Sequence, residues 1–206
     1  MSPATVERAT GGTAGSSPAA RTLAVEAGSA ERRRVFSLEL DRGRTYRFLA
    51  SETVRNALID QLSRTGCAAL VPAEGGLIGN LKIWENIALP LAWQGKEGSV
   101  IEARARAILE EFGIAGEGFV QLCRSLPEHL SNFERRIVAF VRVMLIEPEI
   151  MVYDRLFEGL TQTQTERARL FDRLFHHRFP FRTSVYLESD AVATLVAPVH
   201  AEHDLR

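Results

Sequence analysis

Residues 35–40 alternate apolar with polar side chains, and residues 45–50 resume after an Asp41-Arg42-Gly43-Arg44 turn signal. Two strands are predicted there. Ser51 and Glu52 then open a stretch in which Val54, Leu58 and Leu62 recur at helical spacing, and Gly66 ends it. Residues 67–71 form a short, wholly apolar run, the pattern of a strand buried on both faces. A glycine-rich loop follows at 74–80, then a helix over 83–89 that Pro90 should stop. Ile101, Ala105, Ile108, Leu109 and Phe112 form a helical stripe, with Gly113 as its C-cap candidate. Ser131-Asn132-Phe133-Glu134 fits a capping box, in which Ser and Glu satisfy orphan backbone donors; its helix carries Ile137, Val141, Met144 and Leu145. Residues 149–154 read as an apolar strand ending in an acid. Thr163-Gln164-Thr165-Glu166 reads as a second capping box, before a helix with Phe171, Leu174 and Phe175, and 183–187 is one more strand. Strands alternating with helices predict an α/β domain around a largely parallel sheet.

The two ends read differently. Residues 1–34 are rich in Ala, Gly, Ser, Thr and Pro and lack spaced large hydrophobes, so a disordered N-terminal tail is expected, with the fold beginning near Val35. Residues 198–206 read as a polar C-terminal tail. The 206 residues carry 25 Lys+Arg against 26 Asp+Glu, a formal net charge of −1. That balance removes the bulk electrostatic case for a nucleic-acid binder. Cys67 and Cys123 stand far apart with no metal-ligand spacing, which fits idle thiols in a reduced cytoplasm. No apolar run approaches a membrane span.

The stretch from 130 to 160, LSNFERRIVAFVRVMLIEPEIMVYDRLFEGL, resembles the signature helix, Walker B strand and D-loop of ATP-binding-cassette (ABC) ATPases. Upstream, GGLIGNLKIWENIALPL resembles the segment after that family's Q-loop, in wording closest to the Mla/Mce type that serves lipid and organic-solvent-resistance transporters. The resemblance covers roughly 35–196. It implies an abridged P-loop NTPase-like (RecA-like) parallel-sheet core with an ABC-type helical subdomain. The domain would span 35–197, with the helical subdomain at about 86–146.

The departures from the family pattern are as telling. A phosphate-binding loop needs GxxxxGK[ST], whose backbone N–H groups, Lys and hydroxyl hold the phosphates and Mg²⁺. The corresponding junction here, Phe48-Leu49-Ala50-Ser51-Glu52-Thr53-Val54-Arg55, has no glycine, and the only lysines are Lys82 and Lys96. Glu52 would put a carboxylate where phosphate binds. By the resemblance, Ala73 replaces the Q-loop Gln, Arg155 the catalytic Glu, Thr161 the D-loop acid and Ser189 the switch His. Asp154, Ser131 and Glu134 are nucleotide-site remnants: Asp154 keeps the Walker B carboxylate, Ser131 the signature serine.

Catalytic residues are therefore expected to be none. No cofactor or metal is expected, ATP and Mg²⁺ entering only if an unconventional site survives. Without a phosphate loop, Asp154 reads as a salt-bridging residue, and Arg155 as the partner of Glu158 or Asp154. His176-His177, His200 and His203 read as exposed positions with no third metal ligand, and Arg135-Arg136 as a solvated helix face. Trp84, Glu85, Asn86 and Trp93 form the expected partner interface, since aromatics anchor interfaces and by the resemblance the family's permease docks in this region; for Trp84 and Trp93 a plain core position is the equal alternative.

Three functions compete. The first is a pseudo-ATPase subunit or regulator of a lipid or solvent-resistance transporter. The second is an ATP-binding or ATP-hydrolysing subunit using Asp154 and Glu188. The third is a stand-alone interaction protein. The expected partners are a permease subunit, an active ABC ATPase, or both, with no nucleic acid and no transmembrane segment of its own. The expected location is the cytoplasm, or the inner face of the cell membrane where a permease holds the chain.

Overall fold

A computed structural model of the chain describes residues 21–27, 34–189 and 201–205. In chain order the strands are β1 (Arg21–Ala27), β2 (Arg34–Leu40), β3 (Thr45–Ala50), β4 (Ala68–Val71), β5 (Ile150–Asp154), β6 (Thr183–Glu188) and β7 (Ala201–Leu205). The helices are α1 (Glu52–Arg64), α2 (Ile83–Trp93), α3 (Gly98–Glu110), α4 (Gly116–Arg124), α5 (Asn132–Ile146) and α6 (Gln162–Arg178). β4, β5, β6, β3 and β7 lie in that order in one sheet whose neighbours all run parallel. β1 and β2 form a separate antiparallel pair.

The parallel α/β architecture is as expected. Several local expectations are overturned. The expected tail over 1–34 contains β1, paired with β2 from Arg21↔Leu40 to Ala27↔Arg34. Leu23 and Val25 alternate with Thr22, Ala24 and Glu26, but Ala-, Gly- and Ser-rich flanks hide that short period; residues 1–20 lie outside the described residues. The expected C-terminal tail contains β7, which pairs with β3. β3 offers an edge of backbone donors and acceptors, and pairing with it decides a segment whose side chains do not read as a strand.

β4 is not buried on both faces. It is an edge strand, with only Val71 fully buried, because β5 alone covers its side. Pro90 does not stop α2 but lies inside it. The hydrogen bond lost there is outweighed by burial of Ile83, Ile87, Ala88 and Leu91 on one face. The second capping box is displaced by two residues: Thr161 and Gln164, not Thr163 and Glu166, exchange the bonds that start α6. α4 had no forecast, since Phe119 and Leu122 are its only buried residues.

Two hydrophobic clusters sandwich the sheet. Tyr46, Phe48, Val152, Val185 and Leu187 meet Leu58 and Leu62 of α1 on one face. On the other, Met151, Tyr153 and Tyr186 join a larger core built from α2 to α6. The helical part, α2 to α5, thus shares its core with the sheet. Within it Phe140 stacks on Phe171 at 4.6 Å between ring centroids, and Phe112 meets Phe171 edge-on at 5.2 Å.

Candidate nucleotide-site region

In a parallel sheet the crevice at the carboxyl ends of the strands is the usual ligand position. Three described strand ends converge there: Ala50 of β3, Asp154 of β5 and Glu188 of β6. The β3–α1 junction and the segment after β5 line the same end.

Asp154 is buried, and its partners are cations from this chain. Arg55 of α1, also buried, donates from Nη1 to Asp154 Oδ1 at 2.7 Å. Arg155 Nε lies 3.5 Å from the same oxygen, and Arg155 Nη1 lies 3.2 Å from Glu158 Oε2. Both acids named as partners for Arg155 are therefore engaged. The Arg155 backbone is left-handed, φ 47°, a conformation costing a non-glycine residue about 1–2 kcal/mol. Its N–H donates to Leu187 O at 2.8 Å, which holds the segment against β6. Glu52 is exposed and stands 4.0 Å from Arg55 Nη2.

Glu188 is 3% exposed, and its Oε1 has no hydrogen-bond partner among the described residues. Burial pushes its pKa up to about 8, with Asp154 and Glu158 adding to the rise against Arg47 and Arg136. It is thus largely protonated at neutral pH. Tyr153 and Tyr186 lie beside this region with their rings tilted by 33° and centroids 4.7 Å apart, and burial holds both phenols well above their ordinary value.

Arg136 corrects the expectation of a solvated Arg135-Arg136 face. It is 4% exposed and donates to three backbone carbonyls: Ala73 from Nε, Leu156 from Nη1 at 2.9 Å and Glu158 from Nη2 at 2.7 Å. Arg135 Nε donates to Pro127 O at 3.0 Å. Ala73 is itself buried, and its carbonyl is what this site uses. Helical spacing did not flag Arg136 because an arginine on a helix reads as surface until the loops around it are known.

The remaining residues are placed as follows. Ser131 and Glu134 form the expected capping box at the start of α5. Glu134 N donates to Ser131 Oγ at 3.3 Å, while Ser131 N and Oγ donate to Glu134 Oε2 at 2.9 and 2.7 Å. The positive end of α5 therefore carries the chain's own carboxylate. Thr161 caps α6, and Ser189 is exposed just past β6.

Around α2, Trp93 is 89% exposed, Glu85 is exposed, and Trp84 is half-buried against the main core. Asn86, expected on the partner surface, does not reach the surface. It is fully buried: its Oδ1 accepts from Ile78 N at 2.7 Å, and its Nδ2 donates to the carbonyls of Ile78, Leu81 and Lys82. A side chain that ties a loop to a helix at four backbone atoms is unavailable to a partner. His176 is not a plain exposed helix-end residue. Its Nε2 contacts Thr45 Oγ1 at 3.2 Å and Ser184 Oγ at 3.0 Å, and lies 3.5 Å from Asp172 Oδ1. His200 lies outside the described residues.

No protein-family model matches the chain. Curated relatives include the lipoprotein-releasing system ATP-binding protein LolD of Chromohalobacter salexigens, 32% identical over 87 residues, which are 42% of this chain and 35% of that protein. The molybdate/tungstate import ATP-binding protein WtpC of Thermococcus kodakarensis is 30% identical over 52% of this chain and 30% of its own length. The sulfate/thiosulfate import ATP-binding protein CysA of Bradyrhizobium diazoefficiens is 30% identical over 55% and 33%. The chain spans about a third of the length of these relatives. Among solved structures, cbiO1 of Clostridium perfringens, part of the ABC transporter complex cbiONQ, superposes with a TM-score of 0.66. It covers 84% of this chain and 79% of its own at 13% identity. No helix among the described residues is long and apolar enough to cross a membrane. The chain therefore has the P-loop NTPase fold of an ABC transporter ATPase domain, and the curated relatives it resembles are ATP-binding proteins of such transporters.

Proposed function

We propose that this chain is an ABC-type pseudo-ATPase, a non-hydrolysing subunit or regulator that works with the permease, an active ATPase, or both, of a transporter of the lipid or organic-solvent-resistance type. One observation carries the reading: Arg55 Nη1 sits 2.7 Å from Asp154 Oδ1, with both side chains buried. A carboxylate that serves Mg²⁺ needs its oxygens free for a cation and water. Here a guanidinium takes that place. Mg²⁺-nucleotide does not fit the residues present. The β3–α1 junction, Ala50-Ser51-Glu52-Thr53, has neither the glycines that let N–H groups approach phosphate nor the Lys that neutralises it. Where a general base would stand, Arg155 adds a second cation, and the capping of α5 by Glu134 opposes an anion there. The lipid-type assignment rests on the wording of the 75–91 segment.

MgATP at millimolar concentration is expected to leave the melting temperature unchanged and to give no calorimetric heat of binding. A Mg²⁺-dependent rise, which linkage demands of any ligand bound to the folded state alone, would overturn the proposal.

The partner surface is assigned to the exposed side of α2. Trp93→Ala is expected to weaken co-purification with a lipid-type ABC permease at least about tenfold, the scale of an interface anchor. It should change the unfolding free energy by less than about 0.5 kcal/mol, as for an exposed side chain. A pull-down beside a urea titration checks both. Undiminished capture removes this face as the interface.

A further inference from the structure

The loop between β4 and α2 connects the sheet to the helical part, and such a two-part chain can hinge there. Residues 73–82 are instead bonded along most of their length. Arg136 takes the Ala73 carbonyl, Arg142 Nη2 lies 3.0 Å from Gly76 O and 3.5 Å from Gly75 O, and Asn86 holds Ile78, Leu81 and Lys82. Gly75 sits at φ +81°, and a Cβ there would come within 2.8 Å of the Arg135 backbone oxygen, so the loop lies directly on α5. From the same guanidinium Arg136 also reaches Leu156 O and Glu158 O, in the segment that follows β5. One buried cation thus ties α5, the β4–α2 loop and the end of β5 together. A Lys has no planar fork and cannot match three carbonyls in these directions.

We infer that Arg136 is a lock that holds the helical part on the sheet in a single pose in the absence of any ligand. The chain then presents its α2 face permanently formed rather than assembling it on a signal. Burying a guanidinium is costly: desolvation lowers the Arg136 pKa against the nearby acids, and the three charge-assisted bonds offset that cost only while all three carbonyls stay in place. Losing any one of the three carbonyls therefore leaves the buried guanidinium undercompensated, so the three segments are held together or not at all. This inference stands on the hydrogen bonds of the free chain and does not require the non-hydrolysing reading, so nucleotide binding and the lock can fail separately.

Two measurements on the full chain test it. Nitroxide labels are placed at Asn56→Cys on α1 and Glu117→Cys on α4, both exposed positions, in a Cys67→Ala/Cys123→Ala background. Their separation is read by pulsed electron resonance. The parent is expected to give one narrow distance distribution, and Arg136→Gln a broadened or double one. In hydrogen exchange, the amides of Gly75 and Ile78, which donate to Pro72 O and Asn86 Oδ1, should exchange at least about tenfold faster in Arg136→Gln. Arg64→Gln, at an exposed ion pair on α1, should leave them unchanged. Arg136→Lys should behave like Arg136→Gln, which separates the three-way fork from charge alone. If Arg136→Gln does not fold, Arg136→Lys and Arg142→Gln carry the comparison. A double distribution in the parent overturns the single pose. Exchange in the Arg136 variants equal to that of Arg64→Gln overturns the lock.

Discussion

Asp154→Asn is expected to destabilise the chain by about 3–5 kcal/mol, the cost of leaving one member of a buried ion pair without its partner. Arg55 is buried, and its other carboxylate, Glu52, is exposed and 4.0 Å away, so among the described residues only a solvent-screened acid would remain beside it. Urea unfolding measures the effect as a lower midpoint at constant slope. The double variant Arg55→Met/Asp154→Leu should recover most of the loss, because apolar groups of similar volume remove both charges at once. That non-additivity is the signature of direct coupling. A cost below about 1 kcal/mol for Asp154→Asn would mean that the pair contributes little to the fold. The acid would then have to be explained by a ligand, contrary to the pseudo-ATPase reading.

Glu188→Gln is expected to stabilise the chain by an amount that grows as pH rises above about 4.5. Glu188 titrates near 8 in the folded chain against an ordinary value of 4.5. Its proton is held more tightly folded than unfolded. Below 4.5 the group is protonated in both states and has no effect on stability. As pH rises from 4.5 towards 8, the unfolded chain loses the proton freely and the folded chain does not, so the parent loses stability throughout that window. The amide side chain of the variant keeps the shape without the titration. The variant should match the parent near pH 4.5 and exceed it by about 3 kcal/mol near pH 8, at 1.36 kcal/mol per decade of proton affinity discounted for relaxation. Chemical unfolding at a series of pH values gives the profile. A parallel pair of curves would show that Glu188 ionises freely, and that its burial is compensated by Arg47 and Arg136.

Much of the architecture was legible from periodicity, because burial on one face of a strand or helix writes itself into spacing. β3, α1, α3, α5, α6 and β6 all carry that mark, and Ser131 with Glu134 announced the start of α5 through chemistry confined to four consecutive residues. The order of motifs in 130–160 also pointed to the fold that cbiO1 shares. Features that depend on distant partners were not legible. β1 and β7 are strands because β2 and β3 offer them an edge. β4 reads as a central strand yet lies at the margin, since strand order is a property of the whole sheet.

The same division holds at the site. The chain itself determined which groups are present: Asp154 at a strand end, Arg155 after it, no glycine between 48 and 55 and no lysine before Lys82. Those identities decide what the junction lacks, because a phosphate cradle needs particular residue types at fixed offsets. Only the tertiary structure decided what those groups do. It brought Arg55 across 99 positions to Asp154, sank Glu188 until its proton stays on, turned Asn86 from an interface candidate into the anchor of a loop, and buried Arg136 on three carbonyls from two separate loops. Charge and polarity are local and can be read residue by residue. Desolvation and pairing depend on what the fold packs around each group, and no spacing rule contains them.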